Sequence, residues 1–187
     1  MKARSLLSIM LIIMLMTLCA WGGGGHAQES GAADPMTDFK FVVGTWQVSP
    51  ETAKTPAKYV EEMTYAAILE GKWVMSQQLL RDNQGAIVYR DCAVYGVDPD
   101  THKLFFHAYN TDGSMDRSHA IDAPSGQWIF VGTVYGSKRF RDYRYTMKKL
   151  DDNHFNVLIE LLTNGKYEKL SETHYLRKSR ESVPRVE

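Results

Sequence analysis

Gly44-Thr45-Trp46 stands at the head of the first extended segment, and Arg177 stands near the end of the last. A closed antiparallel barrel needs such a pair to seal one end. The Trp plugs the barrel floor, and the Arg lies over the indole face and bonds to nearby carbonyls. The pairing predicts a fold and names no reaction.

Between those two points the dominant period is two. Extended runs are expected at Thr45–Ser49, Tyr59–Leu69, Trp73–Arg81, Ile87–Val97, Leu104–Asn110, Met115–Asp122, Trp128–Tyr135, Arg139–Leu150, Phe155–Thr163 and Lys166–Arg177. Turn signals separate them, such as Asp98-Pro99-Asp100, Thr111-Asp112-Gly113 and Asn164-Gly165. Asn-Gly suits a type I′ hairpin, which needs positive φ at both central residues. Short connections force antiparallel neighbours, because parallel pairing requires long crossovers. The expected fold is therefore all-β: a closed up-and-down barrel of about ten strands. A β-sandwich is the alternative. Asp34 can cap a short helix with Pro35 in its first turn, and that helix can cover one end of the barrel.

The first residues read as an address. Lys2 and Arg4 precede an apolar run from Leu6 to Ala20, too short and wrongly flanked for a comfortable membrane span. Gly25-His26-Ala27 offers small residues at the positions that a signal peptidase reads. The expected division is a signal peptide over 1–27 cleaved after Ala27, a linker over 28–35, a barrel over 36–178 and a tail over 179–187. That predicts a periplasmic or secreted protein. A lipid anchor on Cys19 is the rival, weakened by Leu18 where a small residue belongs. The chain has 22 basic and 22 acidic residues; losing Lys2 and Arg4 and no acid leaves 20 against 22, a net charge of −2. Such a balance gives no long-range pull toward nucleic acid or anionic membrane. After cleavage Cys92 is the lone cysteine, expected to be a buried small hydrophobe.

Strand parity suggests what the barrel holds. Phe155, Val157, Ile159 and Leu161 share one face, opposite Asn156 and Glu160. An inward Arg177 takes Tyr175, Thr173 and Ser171 inward with it and turns His174 outward. Tyr89, Asp91, Ala93 and Tyr95 share a face; the strand around Tyr143 and Tyr145 has no clean face. The expected ligand-lining residues are Tyr89, Tyr109, Phe155, Val157, Ile159, Leu161 and Tyr175, around a small apolar or amphipathic ligand. The competing expectation is a lumen filled by its own side chains.

Phe41-Val42-Val43-Gly44-Thr45-Trp46 resembles the L-x-G-x-W opening of secreted bacterial lipocalin-like proteins of unknown function. Glu70-Gly71-Lys72-Trp73-Val74 is similar to that family's Gly-Gly-Arg-aromatic hairpin. Tyr95-Gly96-Val97-Asp98-Pro99 resembles its Gly-Tyr-Asp turn, with Val97 in place of the Tyr, and Tyr175-Leu176-Arg177-Lys178 its closing aromatic-x-Arg-Lys. The resemblance implies a calycin-type barrel and carries across no catalytic residue.

Three sharper chemistries compete with simple binding. Nitrobindin-like barrels hold haem through a His near the C-terminus, and His174 is the candidate there, although its parity turns it outward; no cofactor is expected. His102, His107 and His119, with Asp116 or Asp122, lack metal-site spacing, so no metal is expected. An inward Asp91 would have a raised pKa and could serve acid–base chemistry. The favoured expectation is instead an ion pair with Arg141 or Arg144, and a protein that is not an enzyme. Lys138-Arg139-Phe140-Arg141 mixes bases and aromatics, but alternating charge on a solvated strand is its expected role.

Overall fold

A computed structural model describes residues 34–49, 59–137 and 141–180. The expected leader, Cys19, most of the linker and most of the tail lie outside these residues, as does Lys138-Arg139-Phe140. Helix α1 (Pro35–Phe39) comes first. Asp34 Oδ1 accepts from the Met36 amide at 3.0 Å and Pro35 occupies the first turn, so two features stop the helix fraying at its start. A 3-10 turn over Lys40–Val42 follows. The helix starts one residue before the expected barrel boundary.

The strands are β1 (Gly44–Val48), β2 (Tyr59–Ile68), β3 (Trp73–Asp82), β4 (Ile87–Val97), β5 (Leu104–Asn110), β6 (Met115–Ile121), β7 (Gln127–Tyr135), β8 (Asp142–Lys149), β9 (His154–Thr163) and β10 (Lys166–Ser179). Each pairs antiparallel with its neighbour in sequence, and β1 pairs with β10 to close a ten-stranded barrel. Closure removes every free sheet edge, which a sandwich would have kept. Asn164 and Gly165 have φ of 51° and 77°, the type I′ requirement, in the β9–β10 turn. No described helix is long and apolar enough to cross a membrane.

Gly44 is where the closure is tightest. Its φ is 131°, and a Cβ there would sit 2.4 Å from the Ser179 carbonyl oxygen and 2.9 Å from Arg177 Nη1. A side chain at this position would push β1 off β10. Two residues on, Trp46 lies opposite Arg177 on one side and Met63 on the other.

The core gathers at the end that α1 covers. Met36, Phe39, Val42 and Trp46 are fully buried there. The Phe39 ring lies 4.9 Å from Tyr95 and meets Trp128 and Phe130 edge-on, while Phe41 stacks on Trp128 at 4.9 Å. Each such buried aromatic contributes about 2–3 kcal/mol through burial alone. The helix is thus held as an aromatic stopper, and the fold needs no disulfide. Cys92 departs from expectation: it is exposed, because β4 turns Asp91 and Ala93 inward and Cys92 with Arg90 outward.

Candidate functional site

The two ends of the lumen are built differently. At the covered end, Trp46 Nε1 donates to the Val42 carbonyl at 2.6 Å. The Arg177 guanidinium lies 4.0 Å from the Trp46 ring. It also donates to the carbonyls of Val43 at 2.7 Å, Phe41 at 2.6 Å and Asp152 at 2.8 Å. Phe155 meets Trp46 edge-on at 4.6 Å and stacks on Tyr175 at 4.8 Å. Nothing polar in this plug lacks a partner among the contacts just described.

Toward the other end, inward-facing residues become polar and partly exposed. In the ring of strands, β4 stands across from β9. On the arc from β2 to β6, Glu61, Gln78, Asp91, Asn110 and Asp116 face inward and keep part of their surface in water. Ile159 and Leu161 on β9 face them across the lumen, with Tyr143 and Tyr145 on β8 beside them. One wall carries carboxylates and amides, the other is apolar.

Between the plug and this far end lies a layer of phenols. Tyr65 and Tyr95 are buried on β2 and β4, Tyr143 and Tyr145 on β8, Tyr175 on β10. The face of β8 that the sequence left unassigned is settled by packing, with Tyr143, Tyr145 and Met147 inward. Tyr65 donates to Met63 Sδ at 3.0 Å, and Tyr175 donates to Glu61, which also accepts from Gln78 Nε2 at 2.5 Å. Tyr175 thereby connects the plug to the acidic wall.

Among the described residues no cation pairs with the carboxylates of that wall. The Asp91 carboxyl is pushed up to about 7, chiefly by burial, with Asp116 and Glu61 adding to the effect and the hydroxyl of Tyr89 opposing it. Burial pushes Asp116 up to about 6, with Asp112 adding to the effect and Asn110 opposing it. Among the described residues no ion pair involves Glu61, Asp91 or Asp116. The expected pairing of Asp91 with Arg144 does not form. Arg144 points outward, binds both oxygens of Glu160 at 2.6 and 2.8 Å and lies over the Tyr167 ring at 4.4 Å. Parity separates the two: β4 sends Asp91 into the lumen, whereas β8, on another part of the ring, sends Arg144 out. Arg141 is exposed.

The expected lining residues divide into four groups. Tyr89 faces inward at the far end and donates to Asn110 Oδ1 at 2.9 Å. Ile159 and Leu161 sit on the far apolar wall, whereas Phe155, Val157 and Tyr175 are buried in the packed layers nearer the plug. Tyr109 is a correction: it is 52% exposed on the outer face, because Phe106 and Ala108 take the inward positions of β5. Glu61, Gln78 and Asn110 were missed. Glu61 and Gln78 stand on strands whose inner and outer faces both carry polar residues, which hides the parity.

His174 takes the outward parity of β10, between inward Thr173 and buried Tyr175, and it borders an outer concavity of about 470 Å³ with His154 and Leu176. A haem held in the lumen by His174 has no support in that orientation. Among the described residues no cluster of three His, Cys, Asp or Glu side chains is placed to hold a metal ion. Asp116 points inward while His107 and His119 border an outer groove of about 610 Å³, so those three cannot meet.

No family model matches the chain. No curated protein matches it either. Among solved structures, the crystal structure of Rv2717c from M. tuberculosis is similar: TM-score 0.56, 13% identity, covering 78% of this chain and 98% of that one. The class that fold and lumen define is a closed ten-stranded antiparallel barrel with one end sealed. At that identity the similarity to Rv2717c speaks for the fold alone.

Proposed function

We propose that the barrel is a calycin-like binding protein that takes a small amphipathic ligand into the far half of its lumen. The observation that carries this reading is the division of that half into an apolar wall, Ile159 and Leu161, and a polar wall, Glu61, Asp91 and Asp116, all partly exposed though they face inward. A ligand with an apolar body and a polar head matches both walls, and a sealed floor of buried tyrosines limits it to small molecules. Export through the leader, with cleavage after Ala27, and action as a binder and not an enzyme belong to the same proposal.

Native mass spectrometry of protein purified from its own cells tests it by detecting a co-purified small molecule. In solution, a neutral apolar dye should bind saturably with one site per chain. Ile159→Trp, which fills the lumen from a partly exposed position, should weaken that binding by about tenfold or more through steric exclusion. Dye affinity unchanged in that variant would remove the lumen from the proposal.

A second reading is favoured by Asp91 itself. A carboxyl held near 7 beside the Tyr89 hydroxyl is poised to give and take a proton. Recovery of a co-purified ligand chemically altered by the wild type, but not by Asp91→Asn, would favour this enzyme reading over simple binding.

A further inference from the structure

We infer that the head group recognised in the lumen is an organic cation, an alkylammonium-type amine, an inference that rests on the binding reading above. Two independent observations carry it. The first is the sign and placement of the charge. Glu61 on β2, Asp91 on β4 and Asp116 on β6 project from alternate strands of one arc, and no cation is among the groups that chiefly shift Asp91 or Asp116. Like charges confined in one lumen repel, and only protons or a bound cation relieve them. Since no three ligands converge on a metal position among the described residues, the geometry suits a larger cation.

The second observation is unused hydrogen-bonding capacity deep in the same space. The Tyr143 and Tyr145 hydroxyls are buried, the residues being 5% and 8% exposed, and among the described residues neither has a well-aligned hydrogen-bond partner, although Ser118 stands beside the first and Tyr65 beside the second. Their neighbours are engaged elsewhere: Tyr65 donates to Met63 Sδ, and Ser118 donates to the Phe106 carbonyl at 3.3 Å. Asp116 Oδ1 is likewise buried without a partner. After burial, the group that most raises Tyr143 is Asp116; Tyr145 is raised first by Tyr95 and then by Glu61 and Asp91, so the acidic wall acts on both phenols. A buried hydroxyl or carboxylate oxygen left unpaired is costly. An ammonium group offers three donors to carboxylate and phenol oxygens, and phenol rings are favourable neighbours for a cation.

Binding and protonation are then linked. The groups that act on Asp91 are Glu61, the Gln78 backbone, Tyr89 and Asp116, and Asp91 acts in turn on Tyr145 and Tyr175. Without ligand the wall keeps protons up to about pH 7 at Asp91 and about pH 6 at Asp116. A cation displaces them, so its affinity rises from pH 5 to pH 8.

Calorimetric titration of the protein with hexylammonium, hexanol and hexanoate at pH 8 tests this. Hexylammonium is expected to bind at least about tenfold more tightly than either, the scale of one charge-assisted hydrogen bond. Asp91→Asn and Asp116→Asn should each reduce hexylammonium affinity by about tenfold, a loss several times larger than that of hexanol affinity. Hexanol or hexanoate binding as tightly as hexylammonium overturns the cation and leaves lumen binding standing. An equal loss of hexanol in the variants also overturns it, by tracing their effect to pocket shape. Saturable binding of none of the three removes both readings.

Discussion

The two ends of this barrel solve opposite problems. At the covered end, Trp46, Phe39 and Phe155 are fully buried, ring meets ring, and the Arg177 guanidinium is divided among three carbonyls and an indole. At the far end, acids share the lumen, and among the described residues no cation pairs with them and two buried phenols lack well-aligned partners. Packing of the first kind stabilises a fold. The second arrangement costs stability unless something fills it, which is the usual signature of a site. The contrast teaches that well-satisfied packing and costly burial of acids are separated along the barrel axis, so mutations at the two ends should have effects of opposite sign on stability.

The largest effect is expected at the plug. Trp46→Ala removes the indole under Arg177 and the donor to Val42, and should cost about 3–5 kcal/mol in urea unfolding. A loss under about 1 kcal/mol would mean that α1 and Phe155 seal the barrel without it.

Asp91→Asn should do the reverse. Its folded pKa is raised to about 7 from 3.8, so the folded state binds the proton more tightly than the unfolded chain. The unliganded wild type is then destabilised progressively as pH rises from about 4 to 7, and fully above that. The variant should match the wild type near pH 4 and exceed it by about 1–3 kcal/mol at pH 8. Thermal unfolding across that pH range checks the sign; a variant less stable at pH 8 would place Asp91 with the structural residues.

The smallest effect is expected on the outer face, which belongs to neither end. Arg144→Ala breaks a bidentate pair with Glu160 and the contact with Tyr167, yet the site is part-exposed. About 1 kcal/mol should be lost, with dye binding in the lumen unchanged. A change in that binding would show that the outer ladder positions the inner wall.

How much of this was legible in the sequence varied with the physical signal. The strands β4 and β5 were predicted with their observed bounds, because Gly, Pro and Asp punctuate both ends. The start of β8 was placed too early, at Arg139, where mixed charges and aromatics give no clean period. Parity from Arg177 ordered β10 as expected near its end, with Tyr175 in and His174 out. The same kind of reasoning failed for Tyr109, since a tyrosine next to Phe106 and Ala108 looks as fit for the lumen as they do. Asp91 was singled out, but its partner was misjudged: one sequence does not say that the nearest arginines stand on the opposite side of the sheet.

The sequence by itself determined the all-β period, the short antiparallel connections, the capped helix and the Gly44, Trp46 and Arg177 closure. These are local or one-pair signals, written in turn chemistry, spacing and the absence of a side chain. The tertiary structure alone decided which carboxylates share the lumen. Glu61, Asp91 and Asp116 are far apart in the chain, and only the closing of β1 on β10 bends their strands into one arc. The repulsion among them, the raised pKa values of Asp91 and Asp116 and the two buried tyrosines without well-aligned partners arise from that convergence, because burial and neighbouring charge are properties of the closed ring and of no single strand.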